Sequence, residues 1–215
     1  MSKRILSLLF ATSLLLASCG GDKSDLTVED AETKETEKVE ETEKETEEEK
    51  TESIEGSRSN PVPIDKKVSQ DFEFYNHDDD SSDESYEGNR SITLSNFTRG
   101  EEVYNYLMEA NQFNEEAPEG MEWAIIDVEY ILNEAESEDV AQYVMPEFSI
   151  IDSNGSEVAQ NKVYPSLDRG NEYGHVELYS GGTAKGKYAF YVPVDDDILI
   201  KYDDWNAKAI FFNPN

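Results

Sequence analysis

Cysteine occurs once in this chain, at Cys19, and histidine twice, at His77 and His175. One thiol forms no internal disulfide, and with that thiol committed elsewhere no thiolate nucleophile or zinc-cysteine site remains. Two histidines are too few for a nitrogen-rich metal centre. Basic residues are scarce as well, 18 Lys and Arg against 49 Asp and Glu, a formal net charge of -31. That balance excludes nucleic acid and anionic lipid surfaces as partners, because like charges repel. No Gly-x-Ser-x-Gly elbow, His-Glu-x-x-His pair or phosphate-cradling glycine loop is present. Carboxylate pairs for glycoside chemistry exist in such excess that they single out nothing. Neither an enzyme nor a cofactor is expected. The apolar run from Ile5 to Leu16 is too short to stay in a bilayer as a spanning helix.

That run lies behind Lys3 and Arg4 and ends in Leu16-Ala17-Ser18-Cys19. A basic start, about a dozen apolar residues and small residues at the cut describe a secretory signal over residues 1–18, which leaves Cys19 as the new N-terminus. The Leu-Ala-Ser-Cys box resembles the lipobox of bacterial lipoproteins. It implies that the Cys19 sulfur carries a diacylglyceryl group, with palmitate-type chains, tethering the protein to the extracytoplasmic face of the cell membrane.

From Asp22 to about Ser57 the chain is dominated by Glu, Thr and Lys. Apart from Leu26, Val28, Ala31, Val39 and Ile54 it has almost nothing to bury, so residues 19–57 read as a lipidated cysteine followed by a disordered, self-repelling acidic stalk. Fully extended, such a stalk reaches about 120 Å. From Arg58 the composition supports a packed domain, residues 58–215.

Within that domain the apolar period is mostly two. Val68, Gln70, Phe72 and Phe74 share one strand face, and Ile92 and Leu94 another. Ala184, Gly186, Tyr188, Phe190 and Val192 alternate with Lys185 and Lys187, a half-buried strand ended by Pro193. Further strands are expected at Phe148–Ile151, His175–Tyr179, Ile198–Tyr202 and Ala207–Phe212, with turns at Asp152-Ser153-Asn154-Gly155 and Ser180-Gly181-Gly182. Between Met121 and Leu132 the apolar phase switches. Met121, Trp123 and Ile125 hold one parity, Ile126, Val128, Tyr130 and Leu132 the other, which a bulge at Ile125/Ile126 explains; burial on both faces is the alternative, opposed by Asp127 and Glu129. Glu101 and Glu102 open a short helix with a stripe of Val103, Tyr106, Leu107 and Ala110. The expected fold is all-β, an antiparallel sandwich with one short helix in a connection.

The acidic insertion Asp78-Asp79-Asp80-Ser81-Ser82-Asp83-Glu84, beside His77, suits hard cations by its oxygen ligands. It lacks the glycine that turns a calcium loop, so it reads first as a solvated loop. A calcium-responsive adhesin, or a cation-dependent hydrolase using these carboxylates or Asp195 to Asp197, are the competing readings. Tyr104, Tyr106, Phe113, Tyr143, Tyr164, Tyr173, Tyr179, Tyr191, Tyr202 and Trp205 are more rings than one core hides, and surface rings suit protein or glycan contacts.

Several stretches in order, Asn60-Pro61-Val62-Pro63-Ile64, Arg99-Gly100-Glu101-Glu102, Ala110-Asn111, Phe113-Asn114, Pro118-Glu119-Gly120-Met121-Glu122-Trp123 and Leu178-Tyr179-Ser180-Gly181-Gly182-Thr183-Ala184, resemble the bacterial domain-of-unknown-function family numbered 4352. The resemblance implies an immunoglobulin-like sandwich similar to mycobacterial immunoprotective antigens, on a lipoprotein of a Gram-positive bacterium, with no reaction to carry over. Asp65 stands where the family usually has glycine and Ser180 where it usually has proline, which implies looser turns. The function expected is a membrane-anchored binding or structural module that contacts a surface protein or a cell-wall component.

Overall fold

The computed structural model describes residues 26–30, 55–76, 84–160, 165–204 and 207–215. In chain order these form β1 (Thr27–Asp30), β2 (Val62–Pro63), β3 (Lys66–Tyr75), β4 (Ser85–Arg99), α1 (Glu101–Ala110), β5 (Met121–Ala135), β6 (Gln142–Val144), β7 (Phe148–Ile151), β8 (Val176–Leu178), β9 (Thr183–Pro193), β10 (Leu199–Tyr202) and β11 (Ile210–Asn213). One sheet runs β1-β3-β4-β5-β9, a second β2-β11-β10-β7, and β6 pairs with β8 in a small ribbon. Among these described strands every pairing is antiparallel except that of β2 with β11. The chain is an all-β sandwich with one helix in the β4–β5 connection.

The period-two faces meet between the sheets. Val68, Phe72, Phe74, Ile92 and Leu94 from the large sheet and Ile150, Ile200, Ile210 and Phe212 from the small one are buried in a single cluster. On β9, Ala184, Phe190 and Val192 join it. Lys185 and Lys187 point the other way and pair with Glu129 and Asp127, their register partners on β5.

The phase switch in β5 has a different cause from the bulge expected at Ile125/Ile126. The register of β5 with β9 is unbroken from Met121 to Ile131. Ala124, Ile126, Val128, Tyr130 and Leu132 face the sandwich interior, whereas Trp123 and Ile125 lie on the outer face beneath Val103 and Leu107 of α1. The strand is buried on both sides where the helix covers it, and Asp127 and Glu129 begin where that cover stops. Against β4 the register shifts between Asn89 and Arg90 and between Ser95 and Thr98; the second lies opposite Ile125–Asp127, but its extra residue is on β4, where Asn96 and Phe97 face the single Ile126. Asn96, with φ 53°, lies within the second.

Helix α1 starts after Gly100, whose φ of 92° is a region open to glycine. Glu101 and Glu102 occupy its positive end, and burial of Val103 and Leu107 against β5 contributes about 1.5 to 3 kcal/mol per side chain. Asp65, also at positive φ (67°), shows why glycine suits that position; its N–H is nonetheless held by the Leu94 carbonyl at 2.7 Å. The turn containing Ser180 is likewise closed, with Gly182 N–H donating to Tyr179 O at 2.8 Å.

The other correction concerns the stalk. Thr27–Asp30 is a strand at the edge of the large sheet, and Leu26 and Val28 pack against the main core. Gly56 is buried, its N–H donating to Asn60 O and its carbonyl accepting from Phe211 N–H. Two short stretches of the acidic segment therefore belong to the folded unit. Composition averaged over the segment hides them, because two apolar side chains suffice on an edge strand whose other needs are met by backbone pairing.

Candidate functional site

Gln70 and Arg90 occupy core-facing positions on β3 and β4, in phase with Val68 and Phe72 and with Ile92 and Leu94. Both are buried, Arg90 to 1% exposure. The Arg90 guanidinium lies between the rings of Phe72 and Tyr202, 4.6 and 5.0 Å from their centroids. Nη1 pairs with Asp204, Nη2 donates to Asp204 Oδ1 at 3.1 Å and to Gln70 Oε1 at 2.9 Å, and Gln70 Nε2 donates to the Lys208 carbonyl at 2.6 Å. The charge is thus neutralised by a carboxylate from the other sheet's β10–β11 connection, in the two-pronged geometry a guanidinium favours.

Three phenols surround this pair. Tyr130 Oη donates to Gln142 Oε1 at 2.7 Å. Burial pushes the hydroxyls of Tyr130, Tyr173 and Tyr202 up from the ordinary tyrosine range, against the opposing pull of Arg90. Burial, reinforced by Asp203, also raises the Glu147 carboxyl, and Arg90 only partly offsets it. Glu147 Oε2, Tyr173 Oη and Arg90 Nε are buried without a hydrogen-bond partner among the described residues. The rings close over the guanidinium and the phenols stay protonated, so the centre ties the two sheets together and offers no activated nucleophile.

Two features face solvent. On the β6–β8 ribbon, Gln142, Val144 and Leu178 are turned inward, Tyr143 and its register partner Glu177 face outward, and Met145 and Tyr179 follow just beyond the strand ends. Met145 is 43% and Tyr179 53% exposed. Tyr143 Oη lies 3.3 Å from His175 Nδ1. His175 precedes β8 rather than opening it, in a left-handed turn with φ 57°, and its N–H donates to Val144 O. Beside α1, Glu101, Glu102, Asn105, Tyr106 and Glu109 line an open groove of about 510 Å³. It holds carboxylates but no base-nucleophile pair.

Of the residues proposed for cation chemistry, only Glu84 and Asp195 to Asp197 are among the described residues, and these do not form a common site. Asp195, Asp196 and Asp197 form the turn after β9, with Asp195 at φ 56°. Hydrogen bonds from Ser153 hold the exposed Asp196 carboxyl below the usual carboxylate range. Glu84 accepts from Tyr86 Oη at 3.0 Å. Cys19, His77, Asp78, Asp79, Asp80 and Asp83 lie outside the described residues, as do Tyr164 and Trp205. Among the described residues no group of three or more His, Cys, Asp or Glu is placed to hold a metal ion, and no helix is long and apolar enough to cross a membrane.

Of the ten rings noted in the sequence, Tyr173, Tyr191 and Tyr202 are core, whereas Phe113 and Tyr179 are exposed. The Arg90 centre escaped sequence reading. Its signal was polar residues in apolar phase, Gln70 among Val68, Phe72 and Phe74, and Arg90 two positions before Ile92.

No family model and no curated protein matches the chain, so the resemblance to family 4352 rests on the quoted stretches alone. Among solved structures the chain is similar to that of a proposed lipoprotein, ycdA, from Bacillus subtilis, at 8% identity and a TM-score of 0.42. The similarity covers 59% of this chain and only 36% of the length of that one, and no function is carried over from it.

Proposed function

We propose that the protein is a membrane-anchored, non-enzymatic binding or structural module, held by lipid on Cys19 at the extracytoplasmic face of a Gram-positive cell. It presents the outer face of the β6–β8 ribbon to a surface protein or a cell-wall component. The anchor is supported by the Leu-Ala-Ser-Cys box behind its apolar run. The observation that carries the contact face is the grouping of Tyr143, Met145, His175 and Tyr179 around the exposed Glu177 on one side of a two-stranded ribbon. Amphipathic rings and a methionine provide contact area at low entropic cost, whereas the charged centre of the domain is closed and serves the fold.

Two measurements test this reading. The Cys19→Ser form is expected to leave the membrane fraction or to remain unprocessed; its recovery in membranes with the signal removed contradicts the anchor. Soluble Cys19→Ser protein is expected to sediment with purified cell-wall sacculi or to cross-link to a surface protein on intact cells. Tyr143→Ala/Tyr179→Ala should reduce that capture severalfold with an unchanged melting temperature. Undiminished capture by the double variant rules out this face, and no capture of the parent protein on either preparation rules out the binding module.

A further inference from the structure

The acidic segment joins the domain twice, at Thr27–Asp30 through β1 and at Glu55–Asn60 through the turn that leads to β2. Residues 31–54 lie in the sequence between these two attachments. We propose that β1 is a releasable clasp that determines how far the domain stands from its anchor. With β1 docked, only the links from Cys19 to Leu26 separate the anchor from the fold, about 25 Å at full extension. With β1 released, the links from Cys19 to Glu55 do so, about 120 Å. This rests on Cys19 being the anchor; the clasp itself does not.

The contacts that hold β1 suit a reversible attachment. It is short, it lies at a sheet edge, and its register sets Thr27 against Ser69, Val28 against Val68, Glu29 against Lys67 and Asp30 against Lys66. Val28 lies half-buried over the fully buried Val68. Two of the four pairs oppose an acid to a lysine, and Glu29 reaches Lys67 at 2.9 Å with both side chains well exposed. Each such pair contributes little and is screened by salt. Cross-strand charge matching fixes the register, while the apolar contribution is confined to Leu26 and Val28, both only partly buried, which keeps the release cost moderate. The sheet loses only its outermost strand on release, since β3 remains paired to β4 over nine residue pairs.

The test uses the full mature chain carrying Cys19→Ser, so that the only thiols are those introduced. Thr27→Cys/Ser69→Cys is expected to form an intramolecular disulfide under mild oxidation at low salt, several times more slowly in 1 M NaCl. Glu29→Lys should slow closure similarly, and Glu29→Lys/Lys67→Glu should restore it. No disulfide, disulfide only between two copies, or a rate indifferent to salt and to charge reversal overturns the clasp. Folding is monitored independently by Trp fluorescence, and a variant that retains the native signal keeps its reading valid. In cells, with native Cys19 retained, Glu29→Lys should increase labelling of the domain by an antibody that the wall partly excludes, and the double charge reversal should return it to the parent level. Unchanged labelling alongside salt-dependent closure in solution refutes the height-setting role; membrane fractionation of Cys19→Ser reports separately on the anchor.

Discussion

Arg90 on β4 reaches across the sandwich to Asp204, beyond the end of β10, with Nη2 3.1 Å from Oδ1. One ion pair thereby joins the two sheets at a point where both would otherwise present apolar side chains. Removing one partner strands a buried charge, so Arg90→Met should cost about 3 to 5 kcal/mol in urea unfolding. Arg90→Met/Asp204→Leu should recover most of it, because replacing both partners removes the unpaired charge. Additive losses in the double variant would show that the two residues act separately.

Trp123 lies under α1, its ring 4.1 Å between centroids from Tyr191 and its Nε1 donating to Glu115 O at 2.9 Å. Trp123→Ala should cost about 3 to 5 kcal/mol, the range for deleting a large aromatic from a packed site. Because the side chain belongs to the outer cluster, hydrogen exchange should show α1 amides losing protection before those of β3 and β10. Uniform loss across both sheets would place its role in the main core instead.

Gly186 is a core-facing position with no room for a side chain. A Cβ there meets Tyr173 N at 2.5 Å and Glu172 C at 2.6 Å. That backbone runs beside β9, Glu172 bridging Lys187 in parallel, with Tyr173 N–H donating to Lys187 O at 3.0 Å. Gly186→Ala should displace residues 171–173 and cost about 1 to 3 kcal/mol, measured by denaturant midpoint. A neutral result would mean that residues 171–173 detach easily.

Glu147 carries a raised carboxyl pKa, because burial and Asp203 oppose its ionisation more than Arg90 favours it. The folded state then holds the proton to higher pH than the unfolded chain. Its stabilising contribution is full below the ordinary glutamate range and is lost as pH rises through the folded value. Relative to Glu147→Gln, the parent protein should gain melting temperature as the pH is lowered from 7 towards 4. A constant difference between the two across that range refutes the assignment.

Replacing Asp78, Asp79 and Asp80 by Asn should leave the unfolding free energy within about 0.5 kcal/mol of the parent, or raise it by relieving repulsion. Adding Ca²⁺ should shift neither protein. A Ca²⁺-dependent stabilisation lost in the variant would establish a cation site in the acidic run.

The sequence shows the strands best where one face is wet. β9 is legible because Lys185 and Lys187 mark its outer side, and α1 because Glu101 and Glu102 open a stripe of Val103, Tyr106, Leu107 and Ala110 at helical spacing. β5 misleads because burial on two faces erases the alternation that identifies a strand. Nothing local to Trp123 reveals that a helix folds back over it. β1 is hidden for the opposite reason: an edge strand needs few apolar residues, and its partner Lys66–Ser69 lies far along the chain. The Arg90 centre depends on Asp204, another distant residue, so only the misfit of Gln70 and Arg90 within apolar phases hints at it.

The parallel pairing of β2 with β11 sets Val62 beside Phe212, near opposite ends of the domain's sequence. In the second sheet, β2-β11-β10-β7, the neighbour of β2 is Ile210–Asn213, so β2 is unpaired there until β11 is in place. Hairpin neighbours β3, β4 and β5 can pair early, but closing the sandwich waits on a contact of very high sequence separation. The large sheet can thus assemble hairpin by hairpin, whereas the second sheet stays incomplete until Ile210–Asn213 reaches back to Val62, so the two halves of the core depend on contacts of very different range.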